Sequence, residues 1–170
     1  MAEEIVNRVA NSKLITFNLE DHYPAGERVV FDVKDWLLEG FVLREKEFRK
    51  EAKAHNWANY KDKFVALTCS SDAIIPAWAY MLITTYLQPY AKKVVAGDLE
   101  TLETVIYTEV LQNLNIDDLK DKPVIVKGCA NKPVPTNAYL LLIEKLQPVV
   151  KTLMYGEACS SVPLYKKPRK

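Results

Sequence analysis

KDKFVALTCSSDAIIPAWAYMLITTYLQPYAKKVVAGD, Lys61 to Asp98, lies without a gap over KDKPVIVKGCANKPVPTNAYLLLIEKLQPVVKTLMYGE, Lys120 to Glu157, at an offset of 59; 13 of the 38 pairs are identical. Identities include the Lys-Asp-Lys starts, Pro76 with Pro135, Ala79-Tyr80 with Ala138-Tyr139, the two Leu-Gln-Pro triplets, and Gly97 with Gly156. Self-similarity of this kind marks a duplicated structural unit. Each copy opens with a charged turn, passes through a short apolar run that suits a buried strand, crosses a polar turn, and continues as a long apolar helix that closes near glycine. Asp72 and the matching Asn131 are expected as helix N-caps, because their side-chain oxygens can accept an unpaired amide of the first turn. Pro89 and Pro148 fall inside the helical pattern, so a kink or restart is expected there.

Between the copies, DLETLETVIYTEVLQNL carries Leu99, Leu102, Val105, Ile106, Val110, Leu111 and Leu114 at helical spacing. The glutamates, Glu103 among them, lie mostly off that stripe, which predicts an amphipathic linking helix. Upstream, LITFNL and ERVVFDV read as strands separated by the turn EDHYPAG, and REKEFRKEAKAHN reads as a solvated helix whose cations also allow a basic binding face. His55 is expected at its surface and His22 in a turn.

Alternating strands and helices favour an α/β fold. The expectation is one α/β domain over 1–170: a partly parallel sheet built around the duplicated strand–helix unit (about 61–98 and 120–157), N-terminal strands, and a polar tail fraying over about 165–170.

At 170 residues the chain can bury a full core without disulfide staples. Lys and Arg number 23 against 22 Asp and Glu, which leaves no field to draw nucleic acid or an anionic membrane. The run AIIPAWAYMLITTYL is shorter than the roughly 20 residues that span a bilayer, and it reads as a buried helix. The start MAEEIVNRVAN lacks the basic and apolar regions of a secretory signal, so a cytoplasmic location is expected.

The three cysteines all sit in turn-like sequence: Cys69 in TCSSD, Cys129 in KGCANK, Cys159 in GEACSSVP. The first two fall where strands give way to helices, the zone in which α/β proteins gather ligands. Three thiolates with Asp72, Glu157 or His22 as a fourth donor would suit zinc or an iron–sulfur cluster, although no pair has CxxC spacing. The plainer reading is three separate cysteines packed as small hydrophobes. Ser70 and Ser71 are candidates for binding a small anion, against the commoner use of such serines in capping their own backbone. Gly-rich phosphate loops, Gly-x-Ser-x-Gly and His-Glu-x-x-His are absent, and no catalytic residue is assigned.

EEIVNRVANS, GERVVFDV, FVALTCSSDAIIPAWAYM, VVAGDLETLETV and MYGEACSSVPLYKKP together resemble the bacterial domain-of-unknown-function family 2480 over essentially the whole chain. The resemblance implies a bacterial cytoplasmic protein and, through genes that neighbour those of the family, iron–sulfur assembly proteins as partners. The leading expectation is an accessory protein that binds metal or an iron–sulfur cluster, or handles sulfur, through a cysteine-lined site. The alternatives are a non-enzymatic interaction module that forms a homodimer or docks a partner, and, third, a thiol-dependent enzyme.

Overall fold

In a computed structural model, residues 14–128, 131–157 and 159–168 are described. Four α-helices and seven strands of these residues alternate in an α/β arrangement with two sheets. The chain divides into two compact units. One, Pro24–Ile106, is inserted in sequence between the two segments of the other, which comprises residues up to Tyr23 and from Tyr107.

The inserted unit holds β2 (Arg28–Asp32), α1 (Glu45–Ala54), β3 (Phe64–Thr68), α2 (Ala77–Leu87) and β4 (Lys93–Ala96). Its strands pair in parallel in the order β2-β3-β4. The split unit pairs β1 (Ile15–Phe17), β5 (Pro123–Val126) and β6 (Thr152–Glu157) in parallel, with α4 (Thr136–Leu146) as the crossover. To that sheet it adds the antiparallel β7 (Ser160–Lys166). The linking helix α3 (Leu99–Asn113) crosses the boundary between the units.

The 59-residue register holds in detail. α2 and α4 begin and end at matched positions, and Asp62 and Asp121 both take positive φ, 60° and 56°. Three matched pairs of side chains are fully buried: Ala79 with Ala138, Ile83 with Leu142, and Leu87 with Leu146. The correspondence reaches back through α1, where Phe48 and Ala52 are buried one turn apart as Tyr107 and Leu111 are in α3. The first strands also match, at an offset of 14. Phe17 faces Val126 as Phe31 faces Leu67, and Asn18 and Asp32 each cap the 3-10 turn that follows. The sequence comparison missed this because a whole unit intervenes between β1 and its sheet partner β5.

Several local expectations change. Each long helix is instead a helix and then a strand: Pro89 and Pro148 lack the N–H that would continue the ladder, and KVVA and TLMYGE pair as β4 and β6. Asp72 and Asn131 are not the N-caps. Pro76 and Pro135 occupy that position in extended conformation, and proline disfavours helix at the residue before it. α2 is buried along one stripe only, with Met81 67% exposed on the other side. α1 is not wholly solvated, since Phe48 and Ala52 enter the core. The predicted stripe of α3 is rotated: Glu103 and Tyr107 are buried where Val105 and Val110 were expected. Glu103 is held by Arg28, whose Nε donates to Oε1 at 2.6 Å. The tail does not fray at 165, because β7 pairs through Lys166 and Lys167 donates its amide to Lys151.

Candidate functional site

The carboxyl ends of β2, β3 and β4 form the edge of the inserted sheet at which a parallel α/β arrangement presents its variable loops. Asp32 ends β2, and its Oδ1 accepts from the amides of Lys34 at 3.0 Å and Ser70 at 3.1 Å. Burial alone would raise the Asp32 carboxyl; hydrogen bonds from Ser70 and from the Lys34 amide, with the Lys34 charge, outweigh it and hold the pKa below the usual 3.8. Its charge is thus built into the turn after β3.

Cys69 is half-buried at the margin of the core around Phe31, Val65, Ala79 and Ile83. Its Sγ lies 3.3 Å from Ser71 Oγ, and the thiol donates to the Ser71 carbonyl at 3.7 Å. Tyr80, on the first turn of α2, completes the group. Burial lifts its phenol above the ordinary 10.0, and the charges of Cys69 and Asp32 act in the same direction. Thiol, carboxylate and phenol therefore share one electrostatic neighbourhood. Asp98 at the next strand end is committed elsewhere, accepting from the Thr101 amide at 2.8 Å and hydroxyl at 2.7 Å as a cap of α3.

Beside this edge opens a cleft of about 590 Å³ lined by Phe41, Val42, Glu45, Asp72, Ile74 and Trp78, among others. The turn that carries Phe41 and Val42 is stapled by reciprocal Leu38–Val42 backbone bonds of 2.9 and 3.1 Å.

The other expected site residues fall in both units. Cys159 is exposed in the β6–β7 turn of the split unit, whereas Cys69 belongs to the inserted one. Cys129 lies outside the described residues. Asp72 and Glu157 are exposed, and His22 stacks on Phe17 with ring centroids 5.1 Å apart. Among the described residues, no three His, Cys, Asp or Glu side chains gather as a metal-binding group. The Ser70 amide and side chain turn to the Asp32 carboxylate, a poor neighbour for an anion, and α2 begins only at Ala77. His55 is half-buried rather than fully exposed: its ring lies 4.7 Å from Trp57, 5.4 Å from Trp36 and 5.5 Å from Phe31.

Sequence reading missed Asp32 and Tyr80. The only trace of Asp32 was its Phe-Asp pair, echoed by Phe17-Asn18; Tyr80 was visible as half of the repeated Ala-Tyr. No described helix is long and apolar enough to cross a membrane. A family model described as "Protein of unknown function (DUF2480)" matches residues 3–167. No curated protein and no solved structure matches the chain.

Proposed function

The chain belongs to the DUF2480 family, and we propose that it is an accessory protein that handles sulfur through Cys69, with iron–sulfur assembly proteins as its partners. The observation that carries this reading is a half-buried thiol at the carboxyl end of a parallel strand, beside Ser71 and within the electrostatic reach of Tyr80 and Asp32. The Cys69 thiolate attacks the terminal sulfur of a donor persulfide. A new S–S bond forms on Cys69, the donor's S–S bond breaks, and the donor leaves as its thiolate. The Tyr80 phenol is neutral at neutral pH, and its burial with the nearby Cys69 and Asp32 charges opposes its ionisation, so it adds no second negative charge beside the sulfur anion. Cys159, exposed in its turn, is the thiol that a donor reaches directly from solvent.

Zinc or an iron–sulfur cluster on Cys69, Cys129 and Cys159 is the other form of the proposal.

The test is exposure of the full chain to glutathione persulfide, followed by alkylation and peptide mass spectrometry. The expected result is one added sulfur atom on Cys69 in the wild type and in Cys159→Ser. Asp32→Asn should lower the Tyr80 pKa in an ultraviolet phenolate titration. Sulfur found only on Cys159 would refute the assignment of Cys69. Stoichiometric metal in untagged protein, lost on Cys69→Ser, would favour the metal form.

A further inference from the structure

Lys46, Arg49, Lys50 and Lys53 recur along α1 at three- and four-residue spacing, which at 3.6 residues per turn places all four within an arc of about 100°. With Ala54 they line an open depression of about 540 Å³. Arg49 bonds Glu45 at 2.8 Å, and the three lysines have no ion-pair partner among the described residues. Glu45 bounds one side of this basic strip and Glu47 the other, so the strip is narrow.

A cleft lined by apolar side chains together with Glu45 and Asp72 adjoins it. Glu45 lines the cleft, and the Arg49 guanidinium sits 5.5 Å from the Trp78 ring that forms a wall. Within that cleft Phe41 is 62% and Ile74 93% exposed, in a turn and a loop that hold bulky apolar side chains in water.

We propose that strip and cleft together dock an acidic amphipathic segment of a partner protein. Carboxylates of the segment meet Lys46, Lys50 and Lys53, and its apolar side chains enter between Phe41, Ile74 and Trp78. The strip spans about 10 Å, two helical turns, which matches a short run of carboxylates. A nucleic-acid duplex or an anionic membrane presents charge more broadly, and would bring it against Glu47 and Glu51 beyond the strip, on a chain whose net charge is only +1. This gives the interaction reading of the sequence a defined occupant, and it stands whether or not Cys69 is reactive.

The experiment uses the full chain and a fluorescein-labelled synthetic helix with leucine on one face and glutamate on the other, read by anisotropy. Saturable binding in the range of about 1–100 µM is expected, weakening as salt rises. Lys46→Glu/Lys50→Glu/Lys53→Glu and, separately, Phe41→Ser/Ile74→Ser should each weaken it by about tenfold or more. All five positions are exposed, so the variants should keep the wild-type circular dichroism. A helix with lysine in place of glutamate should bind the charge-reversed variant and not the wild type. Cys69→Ser should leave peptide binding unchanged, which separates this surface from the sulfur reading. Equal binding of the two helices, no saturation up to about 1 mM, or preference for duplex DNA or phosphatidylserine vesicles would overturn the proposal.

Discussion

The inserted and split units have one backbone plan and differ in what fills it. Around β3 the core is aromatic: Phe31, Trp57 and Phe48 are buried, with Trp36, Tyr60 and Tyr86 packed against them. Around β5 it is largely aliphatic, built on Leu111, Leu119, Leu142, Leu146 and Leu153. Trp57 stands where the other copy has Ile116, and Ala52 where it has Leu111. Cores accept such exchanges when volume and patterning are kept. The strand edges differ more sharply. In the split unit Tyr155 closes the turn after β5, its hydroxyl donating to the Gly128 carbonyl at 3.3 Å, and a Cβ at Gly128 would meet the ring at 2.8 Å. The inserted unit has Ala96 in place of Tyr155, Cys69 in place of Gly128, and Asp32 in place of Asn18. Duplication supplied two scaffolds; a few side chains place a thiol and a carboxylate at one strand edge and a tyrosine ring over the turn of the other.

The largest expected effect breaks a feature found in the inserted unit. Arg28 and Glu103 have side chains 10% and 5% exposed, and Arg28 also donates to the Pro24 and Gly26 carbonyls at 2.7 and 2.6 Å. Glu103→Ala leaves a buried cation without its carboxylate, and should cost about 3–5 kcal/mol in urea unfolding. A loss below about 1 kcal/mol would mean that the pair is dispensable there.

Next come the matched leucines. Leu87→Ala and Leu146→Ala each empty a fully buried site at the same turn of equivalent helices, and should destabilise by similar amounts within about 2–5 kcal/mol. All three tryptophans, Trp36, Trp57 and Trp78, belong to the inserted unit, so their fluorescence reports Leu87→Ala directly, while far-ultraviolet circular dichroism reads both units. Losses that differ by more than the scatter of such substitutions would show that the copies do not relax alike around a cavity.

The smallest effect is a pH dependence confined to one copy. Burial among aromatic rings lowers the His55 pKa below its ordinary 6.5, and Nε2 lies 3.2 Å from the Tyr60 hydroxyl. The unfolded chain then binds more protons than the folded one between the two pKa values. The stabilisation is full above about pH 6.5 and is lost as pH falls through the folded value. Asp32, Asp98 and Asp121, held below 3.8, act only at lower pH. The counterpart of His55 is Leu114, so His55→Leu should flatten the decline in tryptophan-monitored stability below about pH 6.5. An unchanged slope would place the titrating group elsewhere.

The duplicated strand–helix unit was readable because the residues that make it act locally. Apolar period, the Pro76 and Pro135 helix starts, and Gly97 and Gly156, with φ of 139° and 115°, recur at one spacing. The extra strands were hidden for the same reason. KVVA and TLMYGE are apolar like the helices before them, and only their pairing with β3 and β5 distinguishes them. Of the candidate site, Cys69 and its flanking serines were legible as a turn. Asp32 was not: it meets Ser70 across 38 positions of sequence, a separation with no periodic signature.

By itself the sequence determined the α/β class and the repeat, since each follows from backbone preferences and side-chain spacing within a few turns. Tertiary structure alone decided that one unit is inserted in sequence between the two segments of the other, that each builds its own sheet around parallel strands, with the antiparallel β7 added in the split unit, and that the Asp32 carboxylate meets the turn that carries Cys69. Strand partners are chosen by burial of apolar faces from distant segments, and parallel pairing leaves the intervening chain free to be a short crossover or an entire second unit.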